Sequence, residues 1–302
     1  DVLGSRGLGD VYKRQVFGLG GELMSILAYK TKERVEFVAP PKQSLLKDIA
    51  MLRYNKILIL LLLAQILNFF NGAIAWIYFF KYCVSVNIGG KVINGETVQF
   101  YYGILVSAFS AVSMFFAVKL ADKLGGMKNM VVLAQVMNAA FRVVAFFIGF
   151  DTLPKMIAVI AIISISSVPT NMVGIAQRAL LCDSIDYTEW KTGKRQEGLC
   201  YAGFGFFSKV AAALTKSFGP ALVVWAGYVT STNANIAYAT QSQTTLNRFL
   251  MIYTIIPAIF VLGQMIPIFF YDLNGKKRDM IAKELQERRE KAAALKAAGE
   301  EA

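Results

Sequence analysis

The stretch ILILLLLAQILNFFNGAIAWIYFF, residues 57–80, carries no charged side chain. It is longer than the roughly 20 residues with which an α-helix crosses about 30 Å of hydrocarbon. Comparable apolar runs follow at 98–118, 129–150, 156–182, 199–229 and 249–271, and a shorter run lies at 16–29. The sequence therefore predicts an all-α, polytopic membrane protein with six transmembrane helices and one truncated helix.

The composition supports the same class of protein. Hydrophobic residues make up 56% of the 302 residues and charged residues 17%, whereas soluble domains have about 45–50% and about 25%. The net charge of +12 would indicate a nucleic-acid partner in a soluble protein. In a membrane protein, Lys and Arg instead collect in cytoplasmic loops, so we expect membrane lipid and no nucleic acid as a partner.

The basic residues alternate between loops in a way that predicts the topology. Several lie in each of the segments 30–56, 119–128, 191–195 and 276–296, and one lies in each of the segments 82–97, 151–155 and 230–248. Because loops rich in Lys and Arg stay in the cytoplasm, the linker and the C-terminus are predicted to be cytoplasmic. The protein is then a multi-pass protein of the cell membrane, inner or plasma, with bacteria as the expected source.

The chain divides by composition into five segments. Residues 1–15, DVLGSRGLGDVYKRQ, are neither apolar enough to span a membrane nor ordered like a signal peptide, and they resemble a translated adapter or assembly scar. We expect a truncated transmembrane helix at 16–29, a cytoplasmic linker at 30–56, six transmembrane helices within 57–271, and a charged, solvated helical tail at 272–302.

Three motifs resemble one transporter family. They are AYKTKERV (28–35), KLADKLGGMKN (119–129) and DSIDYTEWKTGKRQEGLCYAGFGFFSKVAAAL (183–214). Together they resemble the glycoside–pentoside–hexuronide:cation symporters, the melibiose-permease-like branch of the major facilitator superfamily. The second motif is similar to a degenerate loop signature through Asp122, Lys123 and Gly125, although Val118 stands where the full signature has Gly. The resemblance implies the C-terminal half of a twelve-helix fold, beginning at helix six, with the missing N-terminal half as its partner.

The dense charge at 183–198 is predicted to be a cytoplasmic loop and gate. Asp183 and Asp186 share a face if the preceding helix continues, and the negative end of its macrodipole disfavours both. A basic partner is therefore expected from Lys191, Lys194, Arg195, Arg178 or the missing half. By resemblance, the gate consists of Asp183, Asp186, Tyr187, Trp190, Lys191, Gly193, Arg195 and Glu197. The alternative is a solvated loop whose surface ion pairs contribute about 0–1 kcal/mol each.

Lys209 is the sharpest candidate for a transport site. It lies ten residues into an apolar run, about 15 Å deep at about 1.5 Å per residue, where ionisable residues are costly and usually functional. The resemblance implies that it lies beside the cation and sugar sites; the alternative is a lysine that reaches back to the membrane surface. The site vicinity is predicted to include Lys209, Lys216, Arg142, Tyr201 and Asn171.

Several other polar residues within the apolar runs allow two interpretations. They could bind sugar hydroxyls or hold helices together, and they are Gln65, Asn68, Asn71, Asn138, Thr170, Asn171 and Gln177. No acidic residue lies deep in the six runs, whereas a Na⁺ or H⁺ site needs carboxylates. By resemblance, the acids for the coupling cation come from the N-terminal half, and no other cofactor is expected.

The predicted function is sugar:cation symport by alternating access. A transporter of the same fold for lipid or another non-sugar solute is the alternative, and a self-contained six-span channel or receptor is a weaker one. The chain contains no histidine and three cysteines, with no metal-binding spacing and no nucleophile motif. We therefore expect neither an enzyme nor a metal site.

Overall fold

The computed structural model describes residues 55–68, 76–88, 91–230 and 239–300, together with positions 19 and 23. The chain divides into two compact units, residues 1–42 and 43–302, and the helices named below belong to the second unit. The predicted adapter at 1–15, the rest of the helix at 16–29 and the linker up to residue 54 lie outside the described residues.

The fold is built from α-helices with one small hairpin. The elements in chain order are α1 (Lys56–Leu67), α2 (Trp76–Cys83), β1 (Ser85–Ile88), β2 (Lys91–Asn94), α3 (Gly95–Lys123), α4 (Met127–Ile148), α5 (Leu153–Ile165), α6 (Ser167–Thr192), α7 (Glu197–Trp225), α8 (Gln243–Tyr253), α9 (Ile255–Phe269) and α10 (Lys276–Glu300). The two strands pair antiparallel, with Ser85 opposite Asn94 and Ile88 opposite Lys91. The sequence analysis did not anticipate this hairpin.

Within the described residues, five helical stretches are long and apolar enough to cross a membrane: Gly95–Lys123, Met127–Ile148, Leu153–Thr192, Glu197–Trp225 and Gln243–Phe269. They correspond to five of the six predicted spans. The remaining prediction, 57–80, covers α1 and part of α2, and residues 69–75 between these helices lie outside the described part of the chain. A sixth continuous span stays a prediction.

Two of the five stretches are interrupted near a proline. The stretch 153–192 has its break at Ser166, and Pro169 lies in the first turn of α6. The stretch 243–269 has its break at Thr254, three residues before Pro257. Proline has no N–H for the helical ladder and crowds the carbonyl four residues earlier, so both breaks have a local cause. Pro220 lies inside α7, which continues past it to Trp225.

Apolar side chains form one large cluster at each end of the bundle. One cluster joins α1, α3, α4, α6, α9 and α10, and its fully buried members include Met130, Leu180 and Tyr271. The other joins α2, α4, α5, α7 and α8 around Phe79 and Phe249. Helix α4 contributes its first turns to the first cluster and its last turns to the second, so the clusters mark opposite ends of the helices.

The connections meet at these two ends in alternation. The α3–α4 turn contacts the segment after α9, because Lys128 donates to the carbonyls of Phe269 and Tyr271 at 2.9 and 2.6 Å. At the other end, the hydroxyls of Tyr82 and Tyr228 lie 2.9 Å apart. The described loops that are rich in Lys and Arg therefore share the first end, as the alternating charge pattern predicts.

Helix α1 is tied to α6 through its N-cap. The Asn55 side chain accepts a hydrogen bond from the Leu58 amide at 2.9 Å and donates to the Ser184 carbonyl at 3.0 Å. It also donates to the Thr188 hydroxyl. Asparagine is a favoured N-cap because its side chain satisfies a free amide of the first turn. This one residue both starts α1 and fixes it against the last turns of α6.

Candidate functional site

Helix α6 carries most of the charge that was predicted to form a loop. Residues 183–192 are helical, and the connection to α7 is limited to residues 193–196. The helix ends at Gly193, whose φ of 70° lies in the left-handed region that glycine adopts without steric cost. The prediction of a loop from Asp183 is therefore wrong, whereas the condition that α6 continues past Asp183 is met.

Arg195 is the centre of a charge cluster, which we define as Asp186, Glu189, Arg195, Glu197 and Arg289. The Arg195 guanidinium lies 2.9 Å from Asp186, 2.9 Å from Glu189 and 3.2 Å from Glu197. Partial burial by itself lowers the pKa of Arg195, but hydrogen bonds to the three carboxylates outweigh it and hold the pKa above its ordinary value. The predicted basic partner of Asp186 is thus Arg195.

The tail helix α10 supplies the second cation of the charge cluster. Arg289 lies 2.7 Å from Glu189 and 3.8 Å from Asp186. One helical turn earlier, the Trp190 indole donates to Glu284 at 2.7 Å. These contacts join α10 to the last turns of α6.

The sequence analysis did not find the role of α10, which was expected to be solvated. Ile281 and Leu285 are almost fully buried in the first apolar cluster. They are four residues apart and share one face of the helix. This apolar pair within a charged segment is the signal that could have predicted the docking of the tail.

The remaining predicted gate residues have weaker contacts. Tyr187 packs against Trp190 with ring centroids 6.0 Å apart, and the Lys191 ammonium lies 5.7 Å from the centre of the Tyr187 ring. Asp183 is half-buried, and among the described residues it makes no ion pair within 4 Å. The structure therefore brings Asp186, but not Asp183, into the charge cluster.

The loop signature forms a tight turn between α3 and α4. Gly125 and Gly126 both have positive φ, 77° and 133°, and a Cβ on Gly126 would lie 1.9 Å from the Asn274 side-chain oxygen. Asp122 and Lys123 are exposed, and their side chains make no ion pair with any residue in the described ranges. In this chain, the glycines shape the turn and its contact with the segment after α9.

Lys209 and Lys216 lie on one exposed side of α7, which we call the α7 face. Both lysines are exposed, and Ala202, Gly205 and Ala212 between and beside them are exposed as well. Within the ranges that the structure describes, neither lysine makes a hydrogen bond or an ion pair. Lys209 is therefore not buried among the helices described here, and the predicted low-dielectric surroundings would have to come from another partner.

The α7 face is part of the least covered helix of the five. Only 11% of the most apolar 18-residue window of α7 is buried, against 56% for the stretch 243–269. Helix α7 packs mainly on α1, where Gln65 donates to the Ser208 hydroxyl at 3.1 Å. Small residues on a membrane helix allow a second helix to approach closely, so this face has the composition of a packing surface.

Of the other three residues predicted near the transport site, Tyr201 lies on the same exposed side of α7 as Lys209, and Arg142 and Asn171 lie on other helices. Arg142 on α4 donates to the Asn138 side chain at 2.7 Å and to the Tyr253 carbonyl at 3.1 Å. Asn171 on α6 donates to the Ser110 carbonyl of α3 at 2.9 Å, which supports the interpretation as a contact between helices. Tyr201 is exposed, and its hydroxyl lies 3.4 Å from the Cys182 sulfur. No hydrogen bond among the described residues joins any two of the five.

Polar side chains also surround a partly open space between the helices, which we call the amide cavity. It has a volume of about 150 Å³ and is lined by Asn68, Gln135, Asn138, Thr170, Val173, Gly174, Gln177, Val261 and Gln264. Four of the predicted polar residues, Asn68, Asn138, Thr170 and Gln177, meet here, and Asn71 lies outside the described residues. Gln135 and Gln264 are further members that the sequence analysis did not name.

Cysteine and acidic residues show no grouping of metal ligands. Cys83, Cys182 and Cys200 are free thiols. Among the described residues, there is no group of three His, Cys, Asp or Glu side chains that could hold a metal ion.

Comparison with known proteins adds a family match to this geometry. A family model described as MFS/sugar transport protein matches residues 19–275. The "Putative sulfoquinovose importer" of Escherichia coli (strain K12) is 29% identical over 283 residues, 91% of this chain and 56% of that protein. The "Uncharacterized symporter YnaJ" of Bacillus subtilis (strain 168) is 28% identical over 294 residues, 95% of this chain and 59% of that protein.

A third relative is named for the opposite direction of transport. The "Putative 2,3-dihydroxypropane-1-sulfonate exporter" of Escherichia coli (strain K12) is 26% identical over 305 residues, 96% of this chain and 60% of that protein. The chain thus spans less than two-thirds of the length of each of these three relatives.

Proposed function

Because the chain belongs to the MFS/sugar transport protein family, we propose that it is the C-terminal half of a sugar:cation symporter that works by alternating access. Membership in this family supports a multi-pass protein of the cell membrane that is part of a transporter rather than an enzyme. The proposed substrate is a glycoside, pentoside or hexuronide. The observation that carries the proposal is the α7 face, whose two lysines make no hydrogen bond or ion pair with any described residue.

The α7 face supports a second helical bundle as the missing partner. A membrane helix with two exposed lysines at spacing i, i+7 is costly against lipid, because charged side chains within the hydrocarbon favour a protein partner or water. The relatives are longer than this chain by an amount that would hold such a bundle. In transporters built of two repeats, the substrate site lies between them near the bilayer midplane, and the α7 face would line that site.

The acids for the coupling cation would come from the second bundle. In the five apolar stretches of the described chain, Asp and Glu lie near the ends, at Glu96, Asp122, Glu197 and the last turns of α6. Carboxylates of a second bundle opposite Lys209 could hold Na⁺ or H⁺, and the lysine would compete for them. Such competition would link cation binding to the state of the transporter.

The charge cluster is proposed to act as the cytoplasmic gate. It ties the end of α6, the connection to α7 and the tail helix together through Arg195 and Arg289. Each partly exposed pair contributes only about 0–1 kcal/mol, so the cluster can open and close during a transport cycle. The positive-inside rule places this end of the bundle in the cytoplasm.

A second candidate substrate is a sulfonated, anionic solute. Two relatives carry names that refer to sulfonated compounds, sulfoquinovose and 2,3-dihydroxypropane-1-sulfonate. Two lysines on the α7 face would attract a sulfonate or carboxylate group of the substrate. This candidate shares the fold and the mechanism and differs in the solute.

The test is uptake by the full-length transporter that contains this chain, reconstituted in vesicles. We expect an imposed Na⁺ or H⁺ gradient to drive accumulation of a labelled glycoside or hexuronide. Accumulation of sulfoquinovose with no glycoside uptake would favour the second candidate. Equal movement of solute with and without a gradient would refute symport.

A further inference from the structure

The amide cavity contains a buried acceptor without a protein partner. The Gln135 side chain is 2% exposed, and its oxygen has no hydrogen bond to any residue that the structure describes. Its nitrogen donates to the Gln264 oxygen at 3.1 Å, and the Gln264 nitrogen donates to the Asn68 oxygen at 3.3 Å. In this chain of amides, the Gln135 oxygen is the acceptor left without a partner among the described residues.

An unpaired buried acceptor is costly. Such a group loses its hydrogen bonds to water and gains none in return, and most buried polar groups have a partner. Three further residues that line the cavity carry an amide or a hydroxyl group: Asn138, Thr170 and Gln177. The surroundings are therefore those of a ligand that forms several hydrogen bonds, not those of a dry apolar void.

The charges around the cavity decide which ligands fit. An anion would face the Gln135 oxygen, which carries negative partial charge. A cation would lie near the Arg142 guanidinium, which is bonded to the cavity residue Asn138 at 2.7 Å, and no carboxylate lines the cavity in the described part of the chain. A neutral donor satisfies the acceptor without either repulsion.

We propose that the amide cavity is a binding site for neutral O–H donors, with one O–H group donating to the Gln135 oxygen. The volume of about 150 Å³ holds about five water molecules at roughly 30 Å³ each. The same chemistry could come from ordered water or from the hydroxyls of a small sugar. The site lies inside this bundle, between α1, α4, α6 and α9, and it is distinct from the proposed substrate site at the α7 face.

Radiolytic hydroxyl-radical footprinting of the full-length transporter that contains this chain, in detergent, tests this proposal. Bound water becomes a radical source in the X-ray beam, so apolar side chains beside it are modified although they are buried. Val261 lines the cavity and is 2% exposed, whereas Val131 lies in an apolar cluster and is 0% exposed. These two valines give a matched pair, and the readout does not depend on transport.

We expect severalfold faster modification of Val261 than of Val131. If the ligand is water, adding D-glucose leaves this difference unchanged; if it is a sugar hydroxyl, D-glucose protects Val261. Either result supports a site for O–H donors, and equal slow modification of both valines would overturn it.

Two variants tie the signal to the cavity. Gln135→Leu removes the acceptor, and we expect Val261 modification to fall to the level of Val131. Gly174→Leu fills the cavity from a position with open space around it, and it should lower Val261 modification in the same way. This second variant provides the test if Gln135→Leu does not fold. Persistent fast modification of Val261 in a folded variant of either kind would also contradict the proposal.

Discussion

Lys209 is the residue on which the proposed mechanism depends most directly. In the full-length transporter, Lys209→Ala should lower gradient-driven uptake about 100-fold or more, because removing one partner of a desolvated pair costs about 3–5 kcal/mol and each 1.4 kcal/mol is about tenfold. Lys191→Ala is the control, because Lys191 is exposed and removing an exposed charge costs only about 0–1 kcal/mol of interaction energy. Normal accumulation by Lys209→Ala would show that the lysine merely reaches the membrane surface.

Gly95 offers a second test at the scale of a single residue. A Cβ at this position would lie 1.8 Å from the Phe80 carbonyl oxygen and 2.5 Å from the Val84 carbonyl oxygen. Gly95→Ala should therefore destabilise the bundle by about 1–3 kcal/mol, the usual cost of overpacking, with a lower melting temperature in detergent.

The matched control for Gly95 lies on the same helix. A Cβ on Gly103 would meet nothing within 4 Å, and replacing a mid-helix glycine by alanine gains up to about 1 kcal/mol in helix propensity. Gly103→Ala should leave the melting temperature unchanged or raise it. Equal melting temperatures for the Gly95 and Gly103 variants would contradict the close approach of α3 to the end of α2.

At the scale of the element, α10 provides a test of tail docking. Ile281→Ala should release the tail, because truncating a buried Ile costs about 2–5 kcal/mol and Ile281 is 2% exposed. We expect faster trypsin cleavage at Arg288 and Arg289, measured by mass spectrometry. Met280→Ala is the control, since Met280 is 45% exposed; equally fast cleavage in both variants would argue against docking by the buried face.

Most helices could be predicted from the sequence, and the differences have local causes. The runs 98–118 and 129–150 correspond to α3 and α4, because a charge-free apolar run of this length has few alternatives. Hydropathy placed the end of the third stretch at 182, but α6 continues to Thr192 because Arg195 and Arg289 neutralise its acidic last turns. The hairpin at 85–94 was missed, since two four-residue strands give little periodicity.

The parts of the candidate site that depend on a local sequence motif could be predicted. The contacts between residues far apart in the sequence could not. Gly193 and Arg195 were named from the motif, and the structure gives the first a left-handed φ and the second three carboxylate partners. The contact of Arg289 with Glu189 spans 100 residues, so it depends on how α10 packs. For the same reason, the amide cavity emerges only when four helices are assembled.

At the scale of the whole molecule, the arrangement of the helix ends predicts the orientation of the bundle in the membrane. Helix α3 starts directly after β2 and ends at the turn that contacts the segment after α9. That turn shares its end of the bundle with Arg195, so positions 92 and 194 lie at opposite ends. The loops at the end that holds position 194 carry more Lys and Arg than those at the other end. The positive-inside rule therefore puts position 194 in the cytoplasm.

Cysteine labelling of the full-length transporter in intact cells tests this orientation. In a background where the exposed Cys182 is replaced by Ser, Val92→Cys should react with a membrane-impermeant maleimide added outside. Lys194→Cys should react only after the cells are opened, because the bilayer separates it from the reagent. Each variant controls for the expression and reactivity of the other. Labelling of position 194 in intact cells, with position 92 protected, would reverse the topology and place the charge cluster outside.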